Sequence, residues 1–160
     1  MKYGISFLLL FFALHAGAQV NLLSLKQLDE RVEKGKDTTY VVNFWATWCG
    51  PCVEELPSFE QLHAENLSKP VKVILVSLDF KSKLQSAVVP FVKKHQLKSE
   101  VYVINEPDQQ VFIEKVDPKW SGSLPATLFL NKDRKIRFFY EKPFVNYSEL
   151  KAMFENLKTP

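Results

Sequence analysis

Trp48-Cys49-Gly50-Pro51-Cys52 contains both cysteines of the chain, with two residues between them. An apolar run, Tyr40-Val41-Val42-Asn43-Phe44-Trp45-Ala46, precedes it, and a segment with helical spacing follows. A strand, then Cys-x-x-Cys, then a helix is the context in which this spacing reads as a redox pair. One helical turn brings the two thiols close enough for a disulfide that opens and closes without moving the fold. The first sulfur sits at a helix N-terminus, where unpaired N–H groups and the helix dipole favour a thiolate. Pro51 suits the first turn because its missing N–H would have no partner there. Cys49 is therefore expected to attack, and Cys52, one turn further in, to resolve the mixed disulfide. Half of a zinc site is the competing reading, but zinc needs two more ligands. No third cysteine exists, and His63 and His95 lack ligand spacing, so no metal is expected.

The rest of the chain is read outward from this point. Ser24 and Gln27 have capping-box spacing before Leu25, Leu28 and Val32, which predicts a helix over residues 25–34 with Gly35 as its stop. The nearly continuous hydrophobicity of residues 40–46 predicts a strand buried on both faces. Val53, Leu56, Phe59 and Leu62 mark the core side of the redox helix, and Pro57 should kink it. Residues 71–78 read as a second buried strand. Residues 82–96 are helical in character, with Leu84, Val88, Phe91 and His95 on one face and a kink or a start at Pro90. A strand at 101–104, a helix at 108–116, a strand after Leu124-Pro125, a hairpin to 136–140 and a last helix from near Ser148 complete the reading. The Lys132 to Lys135 turn reads as solvated, and Asp79 as a strand-end turn residue.

The complete Trp-Cys-Gly-Pro-Cys motif, extended by Asn43-Phe44-Trp45-Ala46-Thr47 and by Glu55-Leu56-Pro57, resembles the thioredoxin superfamily. It is most similar to the secreted TlpA/ResA-like branch, the thiol-disulfide oxidoreductases of the bacterial envelope, over roughly residues 22–158. The resemblance implies an α/β, thioredoxin-like fold: a central mixed sheet flanked by helices. The 73 positions between Cys52 and Pro125 leave room for the branch's extra βα unit, near residues 97–118. Pro125 matches the superfamily's cis-proline, which faces the disulfide and lets the backbone at Leu124 pair with an extended substrate. Trp48, Gly50, Pro51, Leu124 and Pro125 are thus implied to bind substrate, with Trp120 a further candidate for the rim or for ordinary packing. The branch often has an acid where Glu55 stands, assisting proton transfer at the buried cysteine. Cytoplasmic thioredoxins have a buried aspartate where this chain has Asn43. An amide cannot take a proton, so the acceptor for Cys52 must lie elsewhere, which raises the importance of Glu55. Disulfide-containing proteins are the implied substrates, a membrane protein the implied electron donor, and no cofactor is implied.

Two other functions compete. A thiol peroxidase of related fold would use Cys49 on peroxide, but typically has threonine three residues before its cysteine and a proline between; here Ala46 and Thr47-Trp48 stand there. A redox-inert domain that merely holds peptides would not need two intact cysteines. The N-terminus locates the protein. Lys2, an apolar run from Ile5 to Leu14, and Ala16-Gly17-Ala18 have the form of a secretory signal peptide over residues 1–18, too short to span a bilayer comfortably. No cysteine near the cleavage site offers lipid attachment. Residues 19–160 are then expected to form one thioredoxin-like domain in the periplasm or cell envelope. A net charge of +3, or +2 without Lys2, is too balanced for nucleic acid or an anionic membrane surface. Protein purified from its native envelope is expected to begin at Gln19 by mass spectrometry; an intact Met1 on a membrane-bound product would reject cleavage.

Overall fold

The computed structural model describes residues 19–157, so the expected leader lies outside the described residues. The chain runs β1 (Val20–Leu23), α1 (Leu25–Glu33), β2 (Thr39–Trp45), α2 (Gly50–Glu65), β3 (Val71–Ser77), α3 (Val89–His95), β4 (Glu100–Ile104), α4 (Gln109–Val116), β5 (Ala126–Asn131), β6 (Ile136–Tyr140) and α5 (Tyr147–Asn156). The strands form one six-stranded sheet in the order β1-β4-β3-β2-β5-β6. β1, β4, β3 and β2 are mutually parallel, while β5 and β6 run antiparallel to their neighbours. The expected mixed sheet is therefore present, and the expected extra unit is β4 with α4. Its strand is seated between β1 and β3.

β2 explains why residues 40–46 are apolar at almost every position: all seven of its residues are buried. Successive side chains of a strand point to opposite faces. Val41 and Trp45 enter a core built with Leu56, Phe59, Val92, Leu150 and Phe154 from α2, α3 and α5. Tyr40, Val42 and Phe44 enter a second core with Leu28, Val32, Phe112 and Val116 from α1 and α4. The strand ends are aligned: Trp45 of β2 faces Ser77 of β3, which faces Val103 of β4, and Phe44 faces Ala126 at the start of β5. The loops after β2, β3 and β4 and the loop into β5 thus share one edge of the sheet.

Local signals account for most boundaries. Ser24 caps α1 in a full capping box with Gln27. Asn146 caps α5 by accepting the Glu149 N–H at 3.0 Å. α2 continues through Pro57. The segment read as helical over 82–96 divides at Pro90: a 3₁₀ turn (Lys81–Lys83) and a π turn (Leu84–Val88) precede α3, which has the proline in its first turn. α1 ends beside Gly35, but through space rather than backbone freedom. A Cβ on Gly35 would lie 2.2 Å from the Tyr40 hydroxyl, and it is Asp37 that adopts a left-handed φ of 46°.

One element lies outside the sequence reading, and one alternative it left open is decided. β1 has no signal in the sequence. It is a four-residue edge strand with only Leu23 buried, so its pattern carries no alternation, and it exists by pairing with β4. Of the two readings of Trp120, rim or ordinary packing, the structure gives packing. It is 4% exposed and packs against Phe44, Phe112 and Phe139, with ring centroids 4.9, 6.3 and 5.5 Å away. Its indole N–H donates to the Ser123 carbonyl at 2.9 Å, which ties the loop before Pro125 to the core. Trp120→Ala is expected to lower stability by about 3–5 kcal/mol, the usual cost of removing a buried aromatic. Guanidinium unfolding followed by circular dichroism checks this; a change below about 1 kcal/mol would contradict the core assignment.

Candidate active site

Cys49 and Cys52 form a disulfide, with an S–S distance of 2.01 Å and Cα atoms 5.3 Å apart. Cys49 is the N-cap of α2, and its sulfur accepts the Cys52 N–H at 3.3 Å. The helix terminus therefore directs an N–H and its positive end at that sulfur. Cys49 is 7% exposed and Cys52 fully buried, so Cys49 is the more accessible of the two. The loop that presents Cys49 is held from the neighbouring strand. Asp79, just beyond β3, accepts the Thr47 N–H at 2.8 Å and the Thr47 hydroxyl at 2.7 Å, and also the Ser77 hydroxyl at 2.7 Å. Asp79 is thus a loop anchor, in line with its reading as a strand-end residue, although its partner Thr47 could not be read from spacing.

Glu55 lies one turn beyond Cys52 on the inward side of α2 and is 2% exposed. Its two carboxyl oxygens are both engaged: Oε1 accepts the Asn43 amide at 2.7 Å, and Oε2 accepts the Phe144 backbone N–H at 2.8 Å. Burial pushes its pKa up to about 7, against the downward pull of these two donors and with a small upward contribution from Glu149. Burial wins because it disfavours the charged form more than two hydrogen bonds favour it. Asn43 also donates to the Thr127 hydroxyl at 3.2 Å, while among the described residues its Oδ1 has no hydrogen-bond partner. A half-turn of the amide would direct Oδ1 at Glu55, where it would accept a hydrogen bond donated by the protonated carboxyl. The pair can therefore hold Glu55 in either protonation state. Of these contacts, the sequence pointed to Asn43 and Glu55 separately; nothing in it joins them, and a backbone N–H 89 positions from Glu55 leaves no residue-type signal.

The remaining candidates lie around the same edge. Trp48 is 71% exposed beside the disulfide. The Leu124–Pro125 peptide is cis, and Pro125 is buried at the entry to β5. Leu124 is half-buried against both cores, including the one that contains Cys49 and Cys52. Gly50 and Pro51 open α2, and a Cβ at Gly50 would meet no atom within 4 Å. The site thus has one slightly exposed cysteine, one fully buried, a buried carboxyl whose pKa lies near 7, and an exposed indole at Trp48.

Comparison with known proteins agrees with this chemistry. The chain is 32% identical over 111 residues to the thiol-disulfide oxidoreductase ResA of Bacillus cereus, a match covering 69% of this chain and 58% of that protein. The chain therefore spans less than two thirds of the length of this curated relative. Among solved structures, it superposes on a thioredoxin-related protein of Neisseria meningitidis serogroup B with a TM-score of 0.67 at 21% identity, covering 81% of this chain and 91% of that one. It also superposes on StoA of Bacillus subtilis with a TM-score of 0.57 at 23% identity, covering 76% and 86%. At these identities the superpositions speak for the fold, which is thioredoxin-like. The model of the AhpC/TSA family matches residues 12–139, and the chain belongs to that family.

Proposed function

We propose that the protein is an exported thiol-disulfide oxidoreductase that reduces disulfides in other proteins through Cys49 and Cys52. The observation that carries this is a closed two-cysteine pair at the start of α2, with the first cysteine the more accessible and a buried carboxyl one turn behind the second. In the reduced protein the Cys49 thiolate attacks one sulfur of the substrate disulfide. The substrate's S–S bond breaks and its electron pair leaves on the second sulfur. Cys52, losing its proton, then attacks the Cys49 sulfur, closes the 49–52 disulfide and releases the first substrate sulfur as a thiolate. Two electrons pass to the substrate, and a membrane donor must return them. Glu55 is the acceptor for the Cys52 proton, since Asn43 cannot serve and Glu55 titrates near neutrality. Trp48, Gly50, Pro51, Leu124 and Pro125 form the substrate rim, with the backbone at Leu124 pairing to an extended segment. The bare space at Gly50 suits the close approach of that segment.

Export to the periplasm or envelope follows from the Lys2, apolar and Ala16-Gly17-Ala18 pattern. The peroxidase reading is disfavoured because a buried alanine, Ala46, occupies the position where a threonine is typical, and because Cys52 closes on Cys49. Insulin reduction separates the enzyme from a redox-inert binding domain, and Cys52→Ser should trap substrates as mixed disulfides on Cys49. No trapped protein, with no insulin reduction, would reject the proposal.

The Gly-Pro pair and the carboxyl near Cys52 both point to a reductant. A negative charge at Glu55 opposes a second one on Cys52 and so disfavours the reduced thiolate form. The reduction potential is expected nearer about −270 mV than about −120 mV, by equilibration against dithiothreitol or glutathione. Glu55→Gln should slow resolution of a mixed disulfide by about a hundredfold at neutral pH while affecting its formation less, by stopped-flow. An unchanged resolution rate would leave Glu55 a structural carboxyl.

The same residue predicts a stability profile. The folded protein holds the Glu55 proton up to about pH 7, whereas the ordinary value is 4.5. Between these values the folded state binds more protons than the unfolded chain, so stability falls as pH rises. The contribution is complete below the ordinary value and lost above about 7, a decline of about 3 kcal/mol. Oxidised Glu55→Gln should lack this decline in denaturant unfolding from pH 4.5 to 7.5. An identical profile in both proteins would show that Glu55 is not held protonated.

A further inference from the structure

The redox loop is bounded on one side by Leu124–Pro125, before β5. On its other side, toward β3 and β4, lie features that the chemistry above does not use. Phe80 is 70% exposed, nearly as much as Trp48. The two aromatics are related by structure: each directly follows one member of the Thr47–Asp79 hydrogen-bonded pair. The clamp that fixes the Cys49 loop therefore also fixes the root of Phe80. A second clamp continues the line, because Gln109 at the start of α4 donates to the Leu78 carbonyl at 3.2 Å. Between these tied loops lies a cleft of about 610 Å³, with Phe80 and Lys81 on one wall, Pro107 and Gln109 on the other, and Ile104 at its base. Its acids are engaged in the fold: Glu106 accepts the Leu25 N–H at 2.6 Å, and Asp108 caps α4. What it presents to a partner is the Phe80 ring and the exposed Pro107, with Lys81 and Ser82 beside them, and a concave surface with an apolar wall is where ligands bind.

We infer that Phe80 and this cleft form a second substrate subsite, which takes a large apolar side chain on one flank of the reacting cysteine in an extended polypeptide. The inference rests on the proposed disulfide reduction, which requires a polypeptide to present its sulfur to Cys49. The order of the strands sets the path. A segment whose one flank lies along Leu124 crosses Cys49 and reaches the β3 loop next, since β2 lies between β5 and β3. Adjacent strands are about 4.8 Å apart and an extended chain advances about 3.3 Å per residue. The second or third residue from the substrate cysteine therefore arrives at Phe80. The subsite is preformed, because both of its walls are tied by side-chain bonds to neighbouring loops. It works by contact area with a ring whose backbone root is already in place, so its Phe80 wall selects by size and hydrophobicity.

The test uses short peptides, each with one cysteine held as a mixed disulfide with 5-thio-2-nitrobenzoate. Attack by Cys49 on the peptide sulfur releases the coloured thiolate, and Cys52 then frees the peptide and closes the 49–52 disulfide. Phenylalanine or serine is placed at each of the three positions on either side of the cysteine. With the reduced wild-type protein, phenylalanine two or three positions away on one flank should raise the second-order rate at least about fivefold over serine. Phe80→Ser should abolish that ratio, and Leu67→Ser, which removes an apolar residue of 68% exposure in the turn after α2, should keep it. No preference in the wild-type protein, or a preference that survives Phe80→Ser, would overturn the subsite. So would an equal loss on serine and phenylalanine peptides, which would make Phe80 a support of the Cys49 loop. If the wild-type protein released no coloured thiolate from any peptide, disulfide reduction itself would fall, a result distinct from these.

Discussion

Strand β2 is hydrogen bonded to β3 on one side and β5 on the other, and helices cover both of its faces. It has neither a free edge nor a free face, so its position is determined by the whole fold at once. Everything in the candidate site is referred to it. Asn43 projects from its middle onto Glu55, Trp45 ends it, and the loop that follows delivers Cys49 to the start of α2. Displacement of β2 along its axis by one residue would exchange the two core faces, put Asn43 into the apolar layer of α1 and α4, and remove the donor from Glu55. The cost of that exchange keeps the site in register.

Glu55 shows how such a frame sets chemistry. A carboxylate removed from water loses hydration that two hydrogen bonds only partly replace. The Asn43 amide and the Phe144 N–H stabilise the charged form enough that it titrates near neutrality rather than far above it. An acid at position 43 would have added a second carboxyl in contact with the first and pushed one of the two strongly upward. The amide avoids this, and its two ends can serve a charged or a neutral partner. Here the chain departs from cytoplasmic thioredoxins: the titratable group sits on α2 and not on the central strand.

The shared edge of the sheet is the second organising feature. Parallel strands end at the same level, so their following loops meet, and ligands of open α/β sheets bind at such carboxyl ends. Thr47–Asp79 and Gln109–Leu78 convert three adjacent loops into one surface. The antiparallel β5 begins at this edge and brings Leu124–Pro125 to it, on the side of β2 away from β3. Insertion of β4 and α4 widens the surface beyond Cys49 and supplies the far wall of the Phe80 cleft.

Much of this was legible in the residues because the signals are local. The Cys-x-x-Cys spacing, Pro51, the Ser24–Gln27 capping box and the unbroken hydrophobicity of residues 40–46 each act within one turn or one strand. They determine element type, and so the order of the elements, whatever the tertiary context. The resemblance to thioredoxin-like proteins added the mixed sheet, the extra βα unit and the cis bond before Pro125. Tertiary structure decided what depends on residues far apart in the chain. β1 is a strand only because β4 offers it an edge. Trp120 is core because Phe44, Phe112 and Phe139 converge on it from three elements. Glu55 is buried rather than exposed at a helix surface because α5 and the loop before it close over α2, with Phe144 as the contact. Helical spacing could place that carboxyl on a face, but only the packing determined whether the face met water. Its hydration, and hence its proton affinity, was set there.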